Sequence, residues 1–217
     1  MHRGTFGYGR EMAEYIDLSK LGAIITKGTF LKPRSGNPAP RVCETASGMM
    51  NAIGLENPGI EHFAEKDLPW LKQFDTPIIL NVGASTLEEY VEVCRFANKL
   101  DIDGVELNLS CPNVHAGCMA FGTTYEGVKE ATSAVRKVLD KPLIVKLTPN
   151  VTDITLPAKG AEDACRGPGR RTAGSIGRAE TCRRGTAGSS RTGRTGNSGT
   201  GRTGKNRFRR YTADRRR

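Results

Sequence analysis

The stretch "VELNLSCPN", Val105 to Asn113, decides how this chain is read. A run with strand character delivers Asn108, Cys111 and Asn113, and Pro112 stops the backbone from pairing further. Working outward, "LGAIITKG", "TPIILNVG", "DGVELNLS" and "KPLIVKLT" are four short runs rich in Ile, Val and Leu, each closing in polar or glycine-containing sequence. Helical patterns lie between them. Ser85-Thr86 can cap "LEEYVEVCRFANKL", in which Leu87, Val91, Cys94 and Ala97 recur at three or four residues, and "TYEGVKEATSAVRKVL" repeats the scheme with Val128, Ala131, Val135 and Val138. Near-continuous apolar strands alternating with amphipathic helices are the pattern of parallel strands covered by helices. An open doubly wound sheet and a closed barrel both satisfy it.

Each run carries a polar residue at or near its C-terminal end: Lys27, Asn81, Asn108 and Lys146. One such residue alone is often just the place where a strand meets solvent. Four in succession suggest one shared ligand rim, because ligands bind at the carboxyl ends of parallel strands. "GTFGYG", Gly4 to Gly9, lacks the G-x-G-x-x-G spacing of a dinucleotide site and reads as an aromatic-bearing loop.

Composition splits the chain. It has 33 Lys and Arg against 23 Asp and Glu over 217 residues, a formal +10. Residues 157–217 hold 17 of the basic and 4 of the acidic residues, leaving 16 and 19 for residues 1–156. The front is thus an ordinary, slightly acidic globular sequence, expected to form one domain over 1–156. The basicity belongs to 157–217, an Arg/Gly/Thr/Ser-rich segment with almost no apolar periodicity. Such text buries too little to offset its ordering entropy, so disorder is expected. The abrupt switch from a helical pattern reads as a shifted or mispredicted reading frame. Binding of nucleic acid by this segment is the alternative, but Phe208 and Tyr211 are its only aromatic residues, so nucleic acid is not the expected partner.

Six cysteines, Cys43, Cys94, Cys111, Cys118, Cys165 and Cys182, form no C-x-x-C pair, so neither a zinc ribbon nor another metal site is expected. With no signal peptide and no apolar run long enough for a membrane span, reduced thiols in a cytoplasmic protein are expected. Cys94 falls on the apolar face of a helix and reads as core, whereas Cys111 falls in the rim.

"TKGT", "GNPAPR", "MMNAIGLENPG", "NLSCPN" and "VKLTPN", collinear over residues 4–154, resemble the class 1 dihydroorotate dehydrogenases, and "NAIGLENPG" resembles their NAD-coupled, heterotetrameric type. The resemblance implies a (β/α)8 barrel that binds FMN and oxidises (S)-dihydroorotate to orotate in UMP biosynthesis. Carried over by position, it implies FMN contacts from Lys27, Gly28, Asn81, Asn108 and Lys146. Substrate contacts are implied from Lys27, Asn108 and the loop Asn51, Ala52, Ile53, Gly54 and Leu55. Cys111 resembles the catalytic base, which removes the proton from C5 while the hydride of C6 passes to the flavin. A thiol with an ordinary pKa of about 8.5 suits that task near neutral pH with modest tuning. Asparagine amides hold a planar substrate without adding charge, and lysines offset negative charge on flavin and carboxylate. A partner subunit carrying FAD and a [2Fe-2S] cluster, passing electrons to NAD, is also implied. Other FMN barrels acting on pyrimidines or tRNA uracil are the nearer alternative, and the "NAIGLENPG" loop disfavours them.

The sequence also departs from the family. Arg3 stands where the family has a flavin-contacting serine, and only a stump of the first strand precedes "GTFGYG". Family-like text fades after "NVTDIT", with "AKGAEDA" as a remnant of the next helix. Whole barrels take about 250 residues, so a partial barrel of about strands 1–5 is expected. The family's phosphate-binding loops follow its last two strands, and without them the chain as written is expected not to be a competent enzyme.

Overall fold

The apolar runs become strands where the periodicity places them. The structure, a computed structural model, describes residues 6–110 and 121–165, all within one compact unit, Met1–Gly185. Its strands are β1 (Ile24–Ile25), β2 (Val42–Thr45), β3 (Gly48–Asn51), β4 (Ile78–Val82), β5 (Gly104–Asn108) and β6 (Leu143–Lys146). The helices are α1, a helical run over 60–71, then α2 (Leu87–Lys99), α3 (Tyr125–Arg136) and α4 (Thr155–Cys165).

β1, β4, β5 and β6 form one sheet in that order, every pairing parallel. Adjacent strands are therefore successive in the chain, and the sheet winds in one direction. A doubly wound sheet would reverse its order at a switch point. The winding is that of an arc of a (β/α)8 barrel, which resolves the choice the strand and helix pattern leaves open.

One face of the arc is closed by helices. Ile78, Leu80, Val82, Val105, Leu107 and Leu143 are buried in one cluster with Tyr90, Val93, Cys94 and Ala97 of α2 and Val128, Ala131 and Val135 of α3. The stripe of α2 differs from the expected one: Tyr90 and Val93 are buried, while Leu87 and Val91 are half-exposed. Several i, i+3 sets fit one apolar helix, and the packing partner selects among them. The expected cap is present. Thr86 Oγ1 accepts from the Glu89 amide at 3.2 Å, and the Glu89 carboxylate accepts from the Ser85 amide at 2.7 Å.

Two elements fall where the sequence pattern assigns none. β2 and β3 pair as an antiparallel hairpin whose residues are all exposed. Helical run α1 contains a π turn at Phe63–Asp67 just ahead of Pro69. Proline lacks the amide that continues an α-helical ladder, and a widened turn accommodates the missing bond.

Helix α4 runs to Cys165 and includes "AKGAEDA". Cys165 is disulfide-bonded, which corrects the expectation of reduced thiols at that position, whereas Cys43 and Cys94 are free. Arg3, the stump of a first strand, Cys111, Cys118, Cys182 and residues 166–217 lie outside the described residues. No helix among the described residues is long and apolar enough to cross a membrane, and no group of three or more His, Cys, Asp or Glu among them could hold a metal ion.

Candidate active site

Strand geometry alone brings three of the expected residues, Asn81, Asn108 and Lys146, together with Glu106. Asn81 pairs in register with Glu106, and Asn108 with Lys146. Side chains alternate along a strand, so Asn81, Glu106, Asn108 and Lys146 share the face opposite the helices. The Lys146 Nζ donates to Asn108 Oδ1 at 3.2 Å, and the Ser110 hydroxyl and amide donate to the same oxygen at 2.8 and 3.3 Å. With the carbonyl engaged on that side, the Asn108 amide nitrogen lies toward Gly28, 3.9 Å from where a Cβ would stand. The backbone of Asn108 is held from the other face, where the Tyr90 hydroxyl of α2 donates to its carbonyl at 2.7 Å.

Asn81 is fully buried. Its backbone is tied to the end of β1, its amide donating to Thr26 Oγ1 at 3.1 Å and its carbonyl accepting from the Thr29 amide at 2.8 Å. Its side-chain nitrogen donates to Glu106 Oε1. Its side-chain oxygen is buried and has no hydrogen-bond partner. An acceptor left in that condition costs about 1–3 kcal/mol, which a donor from a ligand would recover. A Cβ at Gly28 would approach this oxygen to 3.1 Å. Glycine keeps that approach open.

Lys27 and the loop 51–56 meet at the same end of the sheet. The Lys27 Nζ donates to the Glu56 carbonyl at 3.1 Å and stands 5.9 Å from the centre of the Tyr8 ring. Tyr8 shares a 3.1 Å hydrogen bond with Thr29. Burial pushes its phenol up to about 12, against the Thr29 hydrogen bond, which lowers it. Asn57 closes the base of the loop: its oxygen accepts from the Phe30 and Gly59 amides at 3.2 and 3.0 Å, and its nitrogen donates to the Gly28 carbonyl at 2.5 Å.

The two loops singled out in the sequence fold against each other. Asn37 of "GNPAPR" donates its amide to the Ile53 carbonyl at 3.0 Å and its side chain to the Ala52 carbonyl at 2.8 Å. Arg41 binds Glu56 at 2.7 Å. Gly54 has φ +79°, and a Cβ there would lie 2.5 Å from the Asn37 amide nitrogen. Leu55 shares the left-handed backbone at φ +58° without being glycine, a strain that ligand-holding loops often carry.

Lys27, Gly28, Asn81, Asn108 and Lys146 thus converge, and Leu55 adjoins Glu56 beside Lys27. Asn51, at the end of β3, and Ala52 are exposed at the foot of the hairpin. The expected base, Cys111, lies outside the described residues. Glu106, Asn57, Tyr8 and Tyr90 belong to the same neighbourhood and were missed by the sequence reading. For Glu106 the signal was available: it stands two residues before Asn108 on a strand and so shares its face.

A family model described as dihydroorotate dehydrogenase matches residues 2–167. The chain belongs to this family. It is 54% identical over 158 residues to the dihydroorotate dehydrogenase B (NAD(+)) catalytic subunit of Alkaliphilus metalliredigens, covering 73% of this chain and 52% of that one. Proteins of the same name from a Geobacillus species and a Geobacter species are 56% and 52% identical over 162 residues, covering 74% of this chain and 52% and 53% of theirs. The chain spans about half the length of these curated relatives. The (β/α)8 reading agrees with the singly wound sheet.

Proposed function

We propose that these residues form one side of a dihydroorotate dehydrogenase site, in a cytoplasmic flavoprotein that oxidises (S)-dihydroorotate to orotate in pyrimidine biosynthesis. The observation that carries the reading is the buried Asn81 oxygen without a donor, beside the side-chain-free backbone of Gly28 and within the cluster of Asn108 and Lys146. FMN would fit this donor and acceptor set, with Asn81, the Gly28 backbone, Asn108 and Lys146 as the residues that would hold it. When bound, it supplies the two-electron acceptor for the substrate hydride.

The chain's own residues do the rest. Lys27 and Lys146 place positive charge where the substrate carboxylate and the reduced cofactor carry negative charge. Asn108 offers its amide nitrogen from the side toward Gly28. Loop residues Asn51, Ala52, Ile53, Gly54 and Leu55 hold the substrate ring and carboxylate, with Asn37 and Arg41 fixing the loop's shape. Cys111, three residues past Asn108, takes the proton from C5 as thiolate and becomes a thiol. Electrons leave through a separate subunit carrying FAD and a [2Fe-2S] cluster, with NAD as final acceptor; the "catalytic subunit" in the relatives' names supports this.

The test uses the chain of 217 residues with FMN in excess, followed by anaerobic (S)-dihydroorotate. Bleaching of the flavin absorbance in the parent chain but not in Cys111→Ala supports both the site and the base. FMN binding without bleaching in either chain assigns the site and agrees with the expectation that this chain does not turn over. Failure to bind FMN at any accessible concentration overturns the reading, and equal bleaching in both chains removes Cys111 from its role.

A further inference from the structure

Glu106 is a carboxylate 3% exposed on the polar face of β5, directly across from Asn81. The Asn81 amide presents two chemically opposite ends, a donor nitrogen and an acceptor oxygen, exchanged by a half-turn about its last torsion. The hydrogen bonds of the Asn81 backbone, to Thr26 and Thr29, hold the strand and do not discriminate between the two ends. The neighbour at Glu106 does. Its Oε1 accepts from the nitrogen of Asn81, which turns the Asn81 oxygen away. That oxygen is then buried, without a hydrogen-bond partner, and on the Gly28 side.

We infer that Glu106 is a positioning residue: it fixes the Asn81 amide in the one orientation that offers an acceptor to the N–H of a planar heteroaromatic ring seated over Gly28. The inference rests on the flavin reading of this site and adds to it the residue that sets the polarity of the contact. The register makes the coupling direct, because Asn81 and Glu106 are cross-strand neighbours in adjacent parallel strands. A hydroxyl or lysine at this position would permit or favour the opposite orientation, with a donor facing the ring.

The experiment follows the Asn81 side-chain amide by NMR in the 15N-labelled chain of 217 residues, its signal identified by its disappearance in Asn81→Ala. Exchange of this amide with solvent is expected to be at least tenfold slower than that of exposed Asn150. Glu106→Leu loses the protection, and Glu106→Gln, whose amide can donate as well as accept, lowers it. Flavin fluorescence gives the second readout. FMN affinity is expected to fall about tenfold in Glu106→Leu and in Asn81→Ala, and the double variant binds no more weakly than Asn81→Ala. An Asn81 amide exchanging as fast as Asn150 in the parent chain overturns the inference, even if Glu106→Leu fails to fold. Retained protection in a folded Glu106→Leu, or losses of affinity that multiply in the double variant, overturns it too. A protected amide in a parent chain that binds no FMN supports the orientation by Glu106 and places the failure in the flavin reading.

Discussion

The two faces of the β1–β4–β5–β6 sheet are built from the same few residues in alternation, and they have opposite chemistry. Leu80 and Leu107 point into the helices and are fully buried. Their chain neighbours Asn81, Glu106 and Asn108 point the other way, into a polar cluster with an acceptor left unpaired. The first face contributes stability through area removed from water, at about 25 cal/mol per Å². The second leaves a buried acceptor unpaired, at a cost of about 1–3 kcal/mol. A fold that relies on one face can tolerate unsatisfied chemistry on the other.

The largest test of this division is Leu80→Ala. A fully buried leucine replaced by alanine should cost about 2–5 kcal/mol in urea denaturation. A cost below about 1 kcal/mol would mean the helix-facing core is looser than the burial implies. On the other face, Lys146→Ala should leave stability within about 1 kcal/mol while weakening FMN binding by roughly 1.5–3 kcal/mol, the range for hydrogen bonds to charged groups. Equal losses in both measurements would erase the contrast between the faces.

Tyr8 sharpens the comparison through pH. Its neutral form is favoured in the fold, with the pKa raised from 10.0 to about 12. The associated stability, roughly 2–3 kcal/mol, is fully present below pH 10 and is lost as pH rises toward about 12. Ultraviolet titration should find the Tyr8 phenolate forming near pH 12; its formation near pH 10 would contradict the burial. Thr86→Ala removes the cap of α2 and should cost about 1 kcal/mol, measured as a lowered unfolding midpoint. The smallest effect is expected at the hairpin, which belongs to neither face. Met49 is 63% exposed, and Met49→Ser should change stability by no more than about 0.5 kcal/mol.

The strands that carry the site were legible because their signal is local. Ile78–Val82, Gly104–Asn108 and Leu143–Lys146 are continuous apolar runs closed by polar residues, and Thr86 with Glu89 is a cap readable at fixed spacing. Hairpin β2–β3 gave no such signal: its residues are exposed on both sides, so no alternation between core and solvent marks it. Helical run α1 was hidden by Pro69, which reads as a breaker and is absorbed by a π turn.

Read by itself, the chain determined its class, its strand-end residues and its family, because period, punctuation and collinear motifs are properties of neighbouring residues. The partnership of Asn81 with Glu106, the anchoring of the Gly28 carbonyl by Asn57 and the docking of Asn37 on Ala52 and Ile53 came only from the tertiary structure. These contacts join residues 15 to 29 positions apart. Register between parallel strands and the direction of a side-chain amide are set by which surfaces pack together, and no spacing along the chain encodes that.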